Sequence, residues 1–123
     1  GSEMCIRDST KWIPFFSWSS CKSKNSAKPD EVDFQIADLE LTSNAYSMNA
    51  EVNHKSSDGN WYQKKLPIKN HESFNSDLLK QWEEAFHKGW LRLNGHIRIK
   101  TWLETSKKHN DRMIRRFRLF VLD

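Results

Sequence analysis

The sequence predicts a mainly β domain that contains one α-helix. After Asp30, apolar and polar residues alternate with a period of two over most of the chain, which is typical of half-buried strands. The period changes to three and four between Leu78 and Phe86, as expected of a helix with one buried face. Six Trp and seven Phe in 123 residues are enough to build one core, so a disordered chain is excluded.

Three strands are predicted before the helix. The first spans 32–41, and its apolar parity changes from even to odd positions after Ile36, as a β-bulge would cause. The second spans 46–52 and the third spans 61–68. An Asp-Gly-Asn sequence at 58–60 is a hairpin-turn signal, so the second and third strands are expected to pair.

The predicted helix has about 12 residues, which is ordinary for a globular protein. Asn75 or Ser76 can cap its first turn with a side-chain oxygen. Lys88 and Gly89 form a typical C-terminal signature, because a basic residue suits the helix dipole and glycine tolerates the left-handed conformation that ends a helix.

Two more strands are predicted after the helix. Residues 90–103 alternate throughout and predict one long strand that bends at Gly95. A polar loop at 105–112 leads to the last strand at 114–122. Three strands, a helix and two strands follow the order of an OB-fold, so we predict a five-stranded OB-fold barrel over residues 30–123, with one helix between the third and fourth strands.

Residues 1–29 form a predicted N-terminal arm of different composition. The arm is rich in serine and lysine and has no acidic residue after Asp8, as organellar presequences do, so a mitochondrial or other organellar location is expected before a cytoplasmic one. Residues 1–9 resemble the translation of a DNA-sequencing adapter, so we do not expect them to be native. The other interpretation of the arm is a docking segment for a partner, with an aromatic cluster as the contact: Trp12, Phe15, Phe16 and Trp18.

Charge is distributed unevenly along the chain. The net charge of +4 combines +3 over residues 1–29, −6 over 30–87 and +8 over 88–122, with Asp123 completing the sum. A local excess of this size attracts polyanions even when the total is small. The basic segment therefore favours a nucleic-acid partner.

Other classes of protein find little support in the sequence. The two cysteines form no C-x-x-C pair and the five histidines are scattered, so we expect no metal site and no cofactor. The common catalytic motifs are absent, so we expect no enzyme activity. No apolar run reaches the roughly 20 residues of a membrane-spanning helix.

One segment resembles a known family. Trp61 opens a strand, a helix ends at Lys88-Gly89, and a run from Leu91 to Trp102 follows. Within that run, Gly95, Ile97, Arg98, Lys100 and Trp102 match the pattern of bacterial and organellar single-stranded DNA-binding proteins. The resemblance covers about residues 45–122 and is strongest over 61–122.

The resemblance implies an OB-fold that stacks bases on aromatic side chains and that assembles as a homotetramer. Trp61 and Trp102 fall where that family places stacking Trp residues. The chain departs from the family at two other stacking positions, since Pro67 replaces one aromatic residue and no Trp occurs around 54–57.

The alternation of apolar and polar residues also predicts a binding face, independently of the family resemblance. Trp, Arg and Lys alternate with apolar residues and so share the outward side of their strands. Such a surface suits single-stranded nucleic acid, because the rings can stack on bases and the cations can neutralise phosphates. The other interpretation is a solvated face whose Trp side chains pack on the arm or on another subunit. The candidate nucleic-acid-binding residues are Trp61, Lys65, Trp90, Arg92, Arg98, Lys100, Trp102, Lys107, Lys108 and Arg112.

Two functions therefore remain open. The first is sequence-tolerant binding of single-stranded DNA, or of RNA, in an organelle. The second is a structural role for an OB-fold without free DNA binding, as a subunit of a large organellar assembly such as the mitochondrial ribosome. The missing stacking positions and the aromatic arm favour the second.

Overall fold

The computed structural model describes residues 13–70 and 77–122 of the chain. Within them, six strands form one antiparallel sheet and one α-helix follows the fourth strand. The elements are β1 (Asp30–Ile36), β2 (Thr42–Ser43), β3 (Ser47–Lys55), β4 (Trp61–Asn70), α1 (Asp77–His87), β5 (His96–Ser106) and β6 (Arg112–Val121). The predicted mainly β class is confirmed. Residues 1–9, Trp12 and the two capping candidates, Asn75 and Ser76, lie outside the described residues.

The strand that was predicted over 32–41 is divided in two. β1 ends at Ile36, and the backbone N–H groups of Ala37 and Asp38 both donate to the carbonyl of Glu51 (3.0 and 3.2 Å). Two residues opposite one is the arrangement of a bulge, and it explains the change of apolar parity. β2 then resumes pairing with β3 at Thr42.

The sheet is open, with strand order β4–β3–β1–β5–β6 and with β2 beside β3. Inward side chains of four strands and one face of α1 form the core, because alternate residues of a strand share a face. Its fully buried members include Phe34, Ile36, Val52, Leu66, Leu78, Trp82, Ile97 and Ile99. In the described residues no backbone pairing joins β4 to β6, so closure into a five-stranded barrel stays a prediction.

The predicted long strand is wrong over residues 90–95. The chain makes a turn there, closed by the Gly95 N–H donating to the Arg92 carbonyl (2.9 Å), with Asn94 in the left-handed region (φ 65°). Apolar and polar residues alternate in this stretch as in a strand, but Leu91 is buried and Leu93, two residues later, is 57% exposed. β5 begins only at His96.

The N-terminal arm covers the free edge of β4. The Lys65 N–H donates to the Pro14 carbonyl and the Phe16 N–H donates to the Lys65 carbonyl, both at 2.9 Å. The indole N–H of Trp18 donates to the carbonyl of Pro67 (2.8 Å), while the Trp18 ring lies 5.0 Å from Phe117 of β6. The arm therefore contacts both edge strands of the open sheet.

Helix α1 covers the free edge of β6 in a similar way. The side-chain amide of Gln81 donates to the Phe117 carbonyl (2.8 Å) and accepts from the Leu119 N–H (2.7 Å). One glutamine thus supplies the donor and the acceptor that a neighbouring strand would supply. Unpaired edge groups invite pairing with other chains, so this cover suits a stable open sheet.

Candidate nucleic-acid interface

The outward side of β5 carries most of the predicted binding residues. His96, Arg98, Lys100 and Trp102 are partly exposed, and Ile97, Ile99 and Thr101 between them are fully buried. The predicted alternation is therefore confirmed from His96 onward. It follows from the pleat of the strand, which sends successive side chains to opposite faces.

Strand β6 extends this surface. Phe120 lies opposite Arg98, and Arg118 lies opposite Lys100. The ammonium of Lys100 lies 5.1 Å from the centroid of the Phe120 ring, within cation–π range. We call the outward residues of these two strands, from His96 to Trp102 and from Arg116 to Leu122, the β5–β6 face.

Two acidic residues of β1 pair with this face. Arg98 donates two hydrogen bonds to the carboxylate of Asp33 (2.8 and 3.2 Å), and Lys100 lies 3.1 Å from the carboxylate of Glu31. The hydrogen bond from Arg98 holds the pKa of Asp33 below its ordinary value. Both pairs are substantially exposed, and exposed ion pairs contribute only about 0–1 kcal/mol each, so a phosphate can compete for the cations.

Trp61 stands at one end of the face. Its ring is 46% exposed and lies 6.2 Å from the ring of His96 in an edge-on arrangement. The groove beside Trp61 has a volume of ≈ 540 Å³, and its walls include Lys55 and Arg98 as well as the acidic Glu31 and Asp33. The structure therefore brings one predicted stacking ring and one predicted cation into a shared groove.

Trp102 lies at the other end of the face. It is six residues beyond His96, which corresponds to roughly 20 Å along a strand. Its indole N–H donates to the carboxylate of Glu104 (3.1 Å). Lys107 and Lys108 of the turn between β5 and β6, and Arg112 at the start of β6, belong to this distant end. The two predicted stacking Trp residues thus do not meet in one site.

Three other candidates lie off the face. Lys65 is on β4 beside the arm, with its ammonium 5.8 Å from the centroid of the Phe15 ring. Trp90 and Arg92 precede β5, in the turn after α1, so the prediction that they share the outward parity of β5 is wrong. The reason is the helix end and turn at 90–95, which rotate the chain before the strand starts.

The aromatic residues of the arm pack on the chain's own core. The ring of Phe16 lies 5.1 Å from Phe34 and 5.3 Å from His54. Trp18 is half-buried between β4 and β6, and Phe15 is 44% exposed. Phe16 and Trp18, which were predicted to contact a partner, therefore pack on this chain's own sheet.

Sequence reasoning missed Phe120 and Leu122 as members of the face. Both share the parity of Arg116 and Arg118, and the burial pattern of β6 confirms that Arg118 and Phe120 point outward. This shared parity was the available signal, but strongly apolar residues near the end of a strand are more often buried.

The described residues hold no group of three or more His, Cys, Asp or Glu side chains that could bind a metal ion. Among them, Cys21 is buried, and burial raises the pKa of its thiol, so it is not poised as a thiolate. No helix in residues 13–70 and 77–122 is long and apolar enough to cross a membrane.

No protein-family model, curated protein or solved structure matches the chain. The function is therefore argued from the side chains that the fold brings together on the β5–β6 face and in the groove at Trp61.

Proposed function

We propose that the protein binds single-stranded nucleic acid on the β5–β6 face without sequence preference. Single-stranded DNA is the proposed ligand, and single-stranded RNA is the alternative. The observation that carries the proposal is the groove that Trp61 and Arg98 both line, with Phe120 of β6 opposite Arg98. Single-stranded nucleic acid is bound by this combination of stacking rings and cations, whatever the base sequence.

Different side chains of this surface bind the bases and the phosphates. A base that stacks on Trp61 contributes about 1–3 kcal/mol. Arg98, Lys100 and Arg118 are the cations for phosphates, and within the described part of the chain Arg118 forms no ion pair. The pairs with Asp33 and Glu31 are exposed and therefore weak, so they can open when a phosphate binds.

The charge distribution favours one side of the face for the phosphates. β5 and β6 belong to the +8 segment, and β1 belongs to the −6 segment. The electrostatic potential therefore becomes more positive from β1 toward β6. We expect the phosphate backbone to lie over β5 and β6, away from Glu31 and Asp33.

The topology supports the same proposal. When β1 and β2 are counted as one interrupted strand, the order β4–β3–β1–β5–β6 with a helix before β5 agrees with an OB-fold, a fold that commonly binds oligonucleotides. The resemblance of residues 61–122 to single-stranded DNA-binding proteins adds a barrel, a homotetramer and an organellar location as further proposals.

Binding of a fluorescently labelled oligo(dT), followed by anisotropy, tests the proposal. We expect saturable binding whose logarithm falls with the logarithm of salt concentration, with a slope of about −0.7 per phosphate contact. Trp61→Ala should weaken binding about 5- to 100-fold, since one stacked base is lost.

Tyr46→Ala is the matched control for that variant. Tyr46 is 78% exposed and lies at the opposite end of β3 and β4 from Trp61, so its removal should leave the affinity unchanged. No binding of about 1 µM oligo(dT) at low salt would overturn the proposal.

A structural role in a larger assembly is the second candidate. Large apolar side chains such as Phe86, Leu93 and Leu122 are about half exposed, and exposed apolar patches mark protein contacts as well as ligand sites. The pairing of Arg98 and Lys100 with carboxylates also weakens the attraction for phosphate. The oligo(dT) titration separates the two candidates, because this second one predicts no binding.

A further inference from the structure

A second cleft lies between the C-terminal end of α1 and the end of β6. It has a volume of ≈ 580 Å³, and its walls include Trp90 and Phe120, which are 52% and 38% exposed. Phe120 also belongs to the β5–β6 face, where it lies opposite Arg98. The cleft is therefore continuous with the proposed binding surface.

The helix end fixes the position of Trp90. The Trp90 N–H donates to the Ala85 carbonyl (2.9 Å) and the Gly89 N–H donates to the Phe86 carbonyl (3.0 Å). This pair of bonds is a Schellman motif, and it requires the left-handed conformation that Gly89 adopts (φ 72°). The backbone of Trp90 is thus fixed beside the cleft, and the ammonium of Lys88 lies 4.8 Å from the centroid of its ring.

The free edge of β6 offers backbone donor and acceptor groups to the cleft. The Leu122 N–H donates to β5, and N–H groups in such a ladder alternate in direction, so those of Leu119 and Val121 point away from β5. Gln81 takes the Leu119 N–H. In the described part of the chain, no group bonds to the Leu119 carbonyl or to the Val121 N–H, and both residues line the cleft.

Arg92 gives the cleft a net positive charge, because the nearby Lys88 and Lys100 are paired with Glu84 and Glu31. Arg92 lines it, and Lys88 and Lys100 stand beside its two aromatic rings. The acidic residue of the wall, Glu84, forms an ion pair with Lys88 (2.9 Å). Two rings, backbone donor and acceptor groups and the cation of Arg92 match a base with its phosphate. Gln81 already bonds to the Phe117 carbonyl and the Leu119 N–H of this edge, so little of it is left for an added peptide strand, which forms several such bonds.

We propose that the cleft holds a nucleobase, and that the strand bound on the β5–β6 face crosses β6 at Phe120 to reach it. In this arrangement the base stacks against Trp90, its edge bonds to the Leu119 carbonyl and the Val121 N–H, and Arg92 contacts the phosphate. The inference rests on the proposed function, and it directs the strand away from Trp102.

Oligo(dT) of graded length tests this path. Trp90→Ala should leave the affinity for the shortest oligomer that binds unchanged, because that oligomer occupies only the groove at Trp61. The same variant should lower the affinity for longer oligomers about 5- to 100-fold. Tyr46→Ala, which removes an exposed ring away from both sites, is the matched control, and we expect it to change neither affinity by more than about twofold. Thermal unfolding by circular dichroism checks that both variants are folded.

The outcomes separate the inference from the proposed function. Equal affinities for the native chain and Trp90→Ala at every length, with weaker binding by Trp61→Ala, would overturn the inference and leave the proposed function standing. A native chain that binds no oligomer would overturn both. A shift of the Trp90 indole signal with an acidic peptide, but not with oligo(dT), would assign the cleft to a protein partner and also overturn the inference.

Discussion

His54 is an ionisable residue placed among aromatic rings. Its ring lies 5.3 Å from Phe16 of the arm and 5.4 Å from Phe34 of the core. Burial, and secondarily the charge of Lys64, lowers the pKa of His54. The folded protein therefore resists protonation at this position, and the arm packs best against the neutral ring.

The lowered pKa gives stability a pH dependence of known sign. The unfolded chain takes up the proton near pH 6.5, before the folded chain does, so this contribution to stability is complete above about pH 6.5 and declines as pH falls toward the folded-state pKa. Urea unfolding between about pH 7.5 and pH 5 measures it. We expect the native chain to lose more stability over this range than His54→Gln. Parallel losses in the two proteins would contradict the assignment.

At the scale of elements, the arm acts as the cover of an open sheet. It bonds to β4 at Lys65 and Pro67 and packs on β6 at Phe117. The carbonyl of Ser23 accepts from the Leu103 N–H (2.7 Å), so the arm also continues along β5. Residues 13–23 therefore contribute to the same core as the sheet.

Removal of a single arm ring should reveal this role. Trp18→Ala deletes a half-buried ring and its bond to Pro67, and we expect a loss of about 2–4 kcal/mol of unfolding free energy. Phe15→Ala removes an exposed ring of the same segment and should cost less than about 1 kcal/mol. Urea unfolding of both variants provides the comparison. A cost for Phe15→Ala as large as that for Trp18→Ala would contradict the described docking.

Local sequence signals predicted some elements and failed at others for physical reasons. The end of α1 and the turn at 58–60 were predictable, because glycine at a left-handed position and Asp-Gly act within a few residues. The start of β5 was not, because the turn at 90–95 has the same alternation as a strand. The docking of the arm depends on contacts such as Trp18 with Pro67, 49 residues apart, which no local pattern encodes.

The candidate site was predicted in part for the same reason. Parity within β5 correctly placed Arg98, Lys100 and Trp102 on one outward face. It could not show that Asp33 pairs with Arg98, or that Phe120 lies opposite Arg98, because both facts depend on strand order and register. Membership of a face is a local property, whereas the neighbours on that face are set by topology.

At the scale of the whole molecule, the fold converts a charge asymmetry in the sequence into one on the surface. The acidic middle of the chain supplies β1, and the basic C-terminal part supplies β5 and β6. Their pairing puts the boundary between the two along β5. The groove at Trp61 lies across that boundary, with Glu31 and Asp33 on one side and Arg98 on the other.

The most direct measurement of the central claim is a proton–nitrogen correlation spectrum recorded while oligo(dT) is added. Each Trp contributes one indole N–H signal, and the described Trp residues differ in exposure. Binding on the β5–β6 face predicts that the signal of Trp61 shifts, together with that of Trp90 if the strand enters the cleft. The signals of Trp18 and the fully buried Trp82 should stay in place. An unchanged spectrum, or shifts that spare Trp61, would contradict the account.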